Sequence, residues 1–194
     1  PLGIEKIYVG QKIFSGYYQY NDIKVVPSWG GSLFEFLMPS LFNDERRLGA
    51  KALGENNYRA IQAHIAFAKE KGYSLWGQSP CAIPGKGKRA YGEFGVPPIS
   101  AKGYSDEPVI TPHASFLALP YAPDDAMRNI KKILIKYPES ISNYGFYDSV
   151  DLRTGDIAQA YLCLDQAMIL VSLCNYLNED YIVDLFHQHD YAKK

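Results

Sequence analysis

The sequence predicts an all-α protein. Three observations carry that expectation. Five or six segments carry apolar residues at helical spacing, the joints between them are rich in Gly, Pro and aromatics, and there is little strand signal after residue 27. No short fixed-period repeat is visible, so 1–194 reads as one domain rather than an array.

The opening stretch, Ile4 to Val26, is rich in Tyr, Ile and Val and broken by Gly10, Gly16 and Asn21-Asp22. It reads as short extended segments or a hairpin. Pro27-Ser28-Trp29-Gly30-Gly31 forces a turn, and Ser32-Leu33-Phe34-Glu35 has the spacing of a capping box, in which a Ser side chain and a Glu three residues on satisfy each other's backbone N–H groups. Pro39 then limits the helix. A second helix is expected from Asn56 or Asn57 to Lys71, on the spacing of Tyr58, Ile61, Ile65 and Ala68, with Gly72 as its stop. Residues 72–109 have no sustained period and read as one long irregular segment. Thr111-Pro112 is expected to cap a helix over His113 to Leu119, and Pro123-Asp124 to open another that Pro138 ends. Ile157 to Leu177 is apolar almost all round and reads as a helix packed inside the fold, with a short helix over Glu179 to Phe186 behind it.

Composition narrows the function. With 20 Lys plus Arg against 21 Asp plus Glu, the chain has no field that gathers phosphate backbones, which argues against nucleic acid as partner. The longest apolar run, Ala167 to Leu177, is too short for a membrane span. Three cysteines argue against a disulfide framework, since Cys163 and Cys174 would stand about 16 Å apart on one helix. The chain opens on Pro1 without a charged, then apolar, leader pattern, which is compatible with a removed leader or preceding segment. With 16 Tyr against 9 Phe and 2 Trp, much of the aromatic surface carries a hydroxyl, which suits a cleft for polar ligands.

Three acids stand out as candidate catalytic groups. Stepping from Tyr161 by three and four meets Asp165, Met168, Ser172 and Asn175, a polar stripe on an otherwise greasy helix. A carboxylate there is costly unless it is paired, hydrogen-bonded or facing a wet cleft. It is either a site residue or a structural acid that caps a loop or pairs with a cation. Glu93, in Tyr91-Gly92-Glu93-Phe94-Gly95, lies between glycines and aromatics, where burial would raise its pKa towards that of a general acid, although a solvated turn fits the same pattern. Glu35 is explained by its capping box or, if its carboxylate points outward, by a ligand groove walled by Trp29. Trp76, Tyr91, Tyr104, Tyr144 and Tyr147 fall in irregular segments and are either sugar-stacking rings or anchors on the core. Asp106 with Glu107, and Asp148 with Asp151, are acid pairs or turn and helix-start residues. The Gly85-Lys86-Gly87-Lys88-Arg89 stretch lacks the phosphate-loop spacing and reads as solvated. His187-x-His189-Asp190 lacks further ligands for a metal site, and neither His64 nor His113 accompanies a nucleophile pattern.

Six motifs then occur in order: Trp29-Gly-Gly-Ser-Leu-Phe-Glu-Phe-Leu-Met-Pro39, Trp76-Gly-Gln-Ser79, Tyr91-Gly-Glu-Phe-Gly-Val-Pro97, Thr111-Pro-His-Ala-Ser115, Tyr144-Gly-Phe-Tyr-Asp148 and Leu164-Asp-Gln166. Together they resemble the glucoamylase-like domain family over residues 27–177, which is similar to endo-β-1,2-glucanases and to the glycan-processing domain of cyclic β-1,2-glucan synthases. The resemblance implies an (α/α)6 toroid of which this chain is the C-terminal half, with a missing N-terminal half as partner and a periplasmic or secreted location. It also implies a glycoside hydrolase acting on a β-glucan, with Glu93 as acid, Asp165 as base or substrate anchor, and Glu35 as a further candidate. Trp29, Trp76, Gln78, Tyr91, Asp106, His113, Tyr147 and Asp148 are expected to bind the oligo- or polysaccharide. No metal or organic cofactor is required by this chemistry. The alternatives are a glucan transglycosylase and a non-catalytic glycan-binding module. Relatives often carry a Glu shortly after Trp-Gly, where this chain continues Gln78-Ser79-Pro80-Cys81.

Overall fold

The computed structural model describes residues 16–87, 90–190 and 192, with the backbone of 7–8 and 11–12. The start of the expected N-terminal extended stretch, including Ile4 and Gly10, and the Lys88-Arg89 end of the basic loop lie outside the described residues. β1 (Ile7–Tyr8) pairs antiparallel with β2 (Gln11–Lys12), and β3 (Tyr18–Tyr20) with β4 (Ile23–Val25) across a turn in which Asn21 adopts a left-handed φ of 51°.

The helical expectations are met where periodicity and punctuation agree. α1 (Leu33–Leu37) opens on the complete Ser32–Glu35 capping box and passes at Pro39 into a 3-10 turn over Met38–Leu41. A short α2 (Glu45–Leu48), capped by Asp44, was not expected. It leads to α3 (Leu53–Glu70), which buries Ala60, Ile61, Ala63, His64 and Phe67 and gives way at Gly72, whose φ of +71° favours glycine. α4 (Pro112–Leu117) and α5 (Pro123–Lys136) each begin on a proline. The Thr111 hydroxyl does not cap α4; it donates to the Gly77 carbonyl instead. α6 (Cys163–Leu177) and α7 (Tyr181–His187) close the described chain, α7 docking where His187 Nε2 accepts the Asp44 amide at 3.2 Å.

The all-α expectation, and the helical toroid with it, is corrected. Among the described residues seven further strands follow residue 27: β5 (Cys81–Ala82), β6 (Tyr91–Gly92), β7 (Val109–Ile110), β8 (Ile141–Ser142), β9 (Gly145–Phe146), β10 (Ser149–Asp151) and β11 (Ile157–Ala158). All their pairings are antiparallel: β5–β6, β8–β9 and a three-stranded sheet in the order β11-β10-β7. The architecture is therefore a mixture of helices and small sheets. Strands of two or three residues are too short to show a period-two pattern, and those between residues 72 and 109 are hidden among Gly and Pro. For the same reason the expected start of the long helix at Ile157 is wrong. Ile157 and Ala158 pair with Val150 and Ser149, and the helix begins six residues later.

The main buried cluster draws Val25, Leu33, Leu37, Ile61, Phe67, Ile110, Leu117, Ile133 and Met168 from α1, α3, α4, α5, α6 and the strands between them. A smaller cluster of Cys81, Phe94 and Val109 lies under the β5–β6 loop. Both clusters support the loop-built face that carries the candidate site. Among the described residues no helix is long and apolar enough to cross a membrane.

Candidate active site

One side of the candidate site is built by close backbone contact. Residues 28–31 run beside 94–105, with Val96 N donating to Gly31 O (2.9 Å), Ala101 N to Ser28 O (2.8 Å) and Lys102 N to Trp29 O (2.9 Å). A Cβ on Gly95 would lie 2.2 Å from Gly30 O, and one on Gly30 would lie 1.9 Å from the Tyr104 ring. The glycines of both motifs are thus steric requirements of this crossing. Glu35 locks it from below: its carboxylate accepts from Ser28 Oγ (2.9 Å), Gly30 N (3.0 Å) and both the amide and the hydroxyl of Ser32 (3.1 and 3.0 Å). The buried His64 ring holds Gly31 O at 2.9 Å, and burial pushes its pKa down to about 3, so it is a neutral donor. Trp29 stands 60% exposed above this base with the Lys102 ammonium 5.6 Å from its ring centroid.

The other side is a buried acid pair. The β8–β9 hairpin is tied to α6 by Gln166, whose side-chain amide donates to Phe146 O at 2.9 Å. The chain then delivers Asp148 to the entrance of β10, where it accepts the Ala82 amide, while the Ser149 hydroxyl donates to Ala82 O. Asp165 sits in the first turn of α6, where the helix dipole favours an anion. Packing of α4 on α6 brings His113 Nδ1 to 3.1 Å from Asp165 Oδ2. Asp148, Asp165 and His113 are all nearly inaccessible, and the two carboxyls lie close enough to shift each other's titration. Burial, reinforced by Asp165, raises the Asp148 pKa to about 8. Burial would raise Asp165 too, but hydrogen bonds from His113 and Asp148 outweigh it and hold this carboxyl below its ordinary value. The paired acids therefore titrate apart, one kept neutral and one kept ionised.

Tyr91, on β6, joins the two sides. Its side chain is more than half exposed, and its phenol is raised to about 12 by partial burial, then by Asp165, Asp148, Cys81 and Glu93. Glu93 leaves β6 pointing into solvent, unlike the buried acid the glycine and aromatic neighbours suggest, while its backbone carbonyl accepts from Ser105 N at 3.0 Å. Tyr147 stacks at 5.0 Å and 37° on Tyr161, which also meets the 81%-exposed Tyr144 edge-on at 6.0 Å.

The remaining expected ligands are engaged in packing or ion pairing. Trp76 is buried, with its backbone clasped by Asn129, and Gln78 is buried with Nε2 on Glu107 O at 2.9 Å. Asp106 pairs with Lys71 at 3.0 Å. A hollow of about 510 Å³ lined by Arg46, Arg47, Tyr176 and Asp180 lies at the far end of α6, about 16 Å of helix from Asp165. The acid pairing of Asp148 with Asp165, the Ala82 amide and the Tyr161 ring are what sequence reasoning missed. Tyr161 was within reach as the first residue of the polar stripe; the other two depend on contacts between remote loops.

Residues 5–190 match the model of the Glycoamylase family, described as "putative glucoamylase". Over 140 residues the chain is 33% identical to the cyclic β-(1,2)-glucan synthase NdvB of Rhizobium meliloti, covering 70% of this chain and 5% of that protein. Among solved structures, one from Bacteroides caccae under the same description as the family model superposes with a TM-score of 0.74 at 18% identity, covering 92% of this chain and 44% of that one. The endo-β-1,2-glucanase of Chitinophaga pinensis, in a complex with sophorotriose and glucose, gives a TM-score of 0.68 at 20% identity, covering 99% and 44%. The chain thus spans less than half the length of these relatives, and the structural likenesses show a shared fold.

Proposed function

The chain belongs to the Glycoamylase family, and from that premise we propose that it carries the acid-bearing part of a glycoside hydrolase that cleaves a β-glucan, with β-1,2 linkage the favoured case. What supports this reading is the buried Asp165 in the first turn of α6, its pKa held below the ordinary value and its charge raising the phenol of the exposed Tyr91, with a second carboxyl, Glu93, two residues beyond Tyr91 along the same strand and loop. Asp165 activates water, and Glu93 protonates the leaving oxygen, so that the glycosidic bond breaks while its carbon gains the water oxygen. Tyr91, whose phenol is raised by both acids, the exposed Trp29 and the half-buried Tyr147 offer faces and hydroxyls to sugar rings. Glu35, Trp76, Gln78, Asp106 and His113 act here by holding the loops and Asp165 in place.

The likeness to a cyclic glucan synthase keeps transglycosylation as a second reading, in which a sugar hydroxyl replaces water as acceptor. In either reading 1–194 is one domain that works with the further part of the fold carried by its longer relatives, and a polymeric glucan favours a periplasmic or secreted place of action. The test is release of reducing ends from linear β-1,2-glucan. Asp165→Asn is expected to lower the rate by about 10²–10⁴-fold, the range for removing a general base, with its melting temperature close to that of the parent. An unchanged rate would overturn the assignment. Cyclic or elongated products would select transglycosylation, and binding without turnover by the parent protein would select a glycan-binding module.

A further inference from the structure

We propose that Asp148 is a positioning residue rather than a sugar ligand: a neutral carboxylic acid whose proton is shared with Asp165 and fixes the orientation of that carboxylate. The proposal rests on the reading of Asp165 given above for its functional consequence, while its chemical content stands on the burial of the two acids and on the contacts each of them makes. Asp148 is 2% exposed and Asp165 5%. Asp148 Oδ2 is occupied by the Ala82 amide, Asp148 Oδ1 is buried without another partner, and Asp165 Oδ2 lies 3.1 Å from His113 Nδ1. Two buried carboxyls in mutual hydrogen-bonding range need a proton between them, because two like charges so placed in low dielectric repel strongly.

The surroundings decide which acid keeps the proton. Asp165 has His113 beside it and the N-terminal turn of α6 behind it, both of which favour the anion. Asp148 has a single backbone amide. The titratable groups facing the pair are His113 from α4, the thiol of Cys81 from β5, raised by burial, and the phenol of Tyr91 from β6, with Glu93 further along that loop. Neither the thiol nor the phenol offers a positive charge that would ionise Asp148. The Asp148 O–H therefore donates to Asp165, whose remaining lone pairs are left for water or a sugar hydroxyl.

The sign of the pH effect follows. The folded pKa of Asp148, about 8, lies above the unfolded 3.8, so its contribution to stability is complete below pH 3.8 and is lost as pH rises through about 8. Loss of the proton also frees the Asp165 carboxylate to turn, which limits activity on the alkaline side with an apparent pKa that belongs to the pair.

The experiment has two arms. In the first, the infrared spectrum of the protein is expected to contain the carbonyl stretch of a protonated carboxyl at neutral pH, lost in Asp148→Asn and titrating towards pH 8. Absence of a band assignable to Asp148 overturns the proposal whether or not the protein turns over glucan. In the second, Asp148→Ala lowers kcat by about 10–100-fold through misplacement of Asp165 while KM changes little. Asp148→Asn, whose amide still donates a hydrogen bond, recovers most of that loss and abolishes the alkaline limb. An Asn variant as impaired as the Ala variant, or one that keeps the alkaline limb, overturns the proposal. A protonated Asp148 in a protein with no glucan turnover would instead sink the hydrolase reading and leave the proton assignment intact.

Discussion

α5 and α6 both pack on α4 and are of similar length, yet they present different residues to the interior. α5 is nearer the usual pattern: beside Asn129 it buries Ala126, Ile130 and Ile133, and it exposes Asp124, Arg128, Lys131 and Lys132, with Ile135 at its end as the apolar exception. α6 buries Asp165, Ser172 and Asn175, with Met168 as the apolar exception, and exposes Leu164 (55%), Leu170 (68%) and Leu177 (71%). The same 3.6-residue periodicity underlies both. Periodicity therefore identifies which residues share a face, whereas what the neighbouring elements need decides which face turns inward. α4 needs a carboxylate beside His113, and the turn into α7 needs an amide, so the polar side of α6 goes in.

The largest stability effect expected from this contrast is at Asn175. Its side-chain amide donates to Leu41 O (3.0 Å), and its carbonyl accepts from Ile182 N (2.9 Å) and Val183 N (3.4 Å), so it pins the 3-10 turn after α1 and the start of α7 to one point. Asn175→Ala strands those buried groups, each at about 1–3 kcal/mol. A loss of at least about 2 kcal/mol is expected by urea denaturation. A loss below about 0.5 kcal/mol, the range of ordinary surface changes, would break the view that the polar face is the structural one.

The legibility of the sequence follows the same division. α1, α3, α4 and α5 could be read because apolar spacing coincides with a local boundary signal: the capping box of α1, Gly72 after α3, and the prolines that open α4 and α5. The β3–β4 hairpin could be read as well, but the three-stranded sheet could not, because β10 takes its partners from β7, some forty residues earlier, and from β11. In the site, Asp165 was readable as a polar residue out of place on an apolar helix, but the Asp148 contact was not, since two acids seventeen residues apart become neighbours only through the β8–β9 hairpin and Gln166. Glu93 shows the converse: its glycine and aromatic neighbours suggest burial, yet Phe94 turns into the small core while Glu93, next to it on an extended chain, turns out.

A smaller effect is expected at Glu35, where a polar side chain again faces inward to serve the backbone. Glu35→Ala removes the capping box and the anchor of Gly30 together, at a cost of about 0.5–2 kcal/mol. Because Trp29 and Tyr104 ride on that crossing, affinity for glucan oligosaccharides is expected to fall with it, measurable by calorimetry. Full stability and affinity in this variant would show that the glycine contacts alone hold the loops.

The smallest effect is expected on the outer stripe of α6, where composition alone would place the largest. Leu170 is a leucine in the most apolar helix of the chain, yet it is 68% exposed, so Leu170→Ala forfeits little buried area and creates no cavity. A change within about 0.5 kcal/mol is expected for this chain, the range of surface substitutions away from special features. Ile130→Ala on α5, at 7% exposure, is expected to cost about 2–5 kcal/mol by the same measurement. If Leu170→Ala costs as much as Ile130→Ala, the outer stripe is covered in solution, and self-association, read by sedimentation of parent and variant at matched concentration, becomes the explanation. If the costs separate as expected, the polar residues of α6 do the inward packing and its outer leucines contribute little to the stability of the fold.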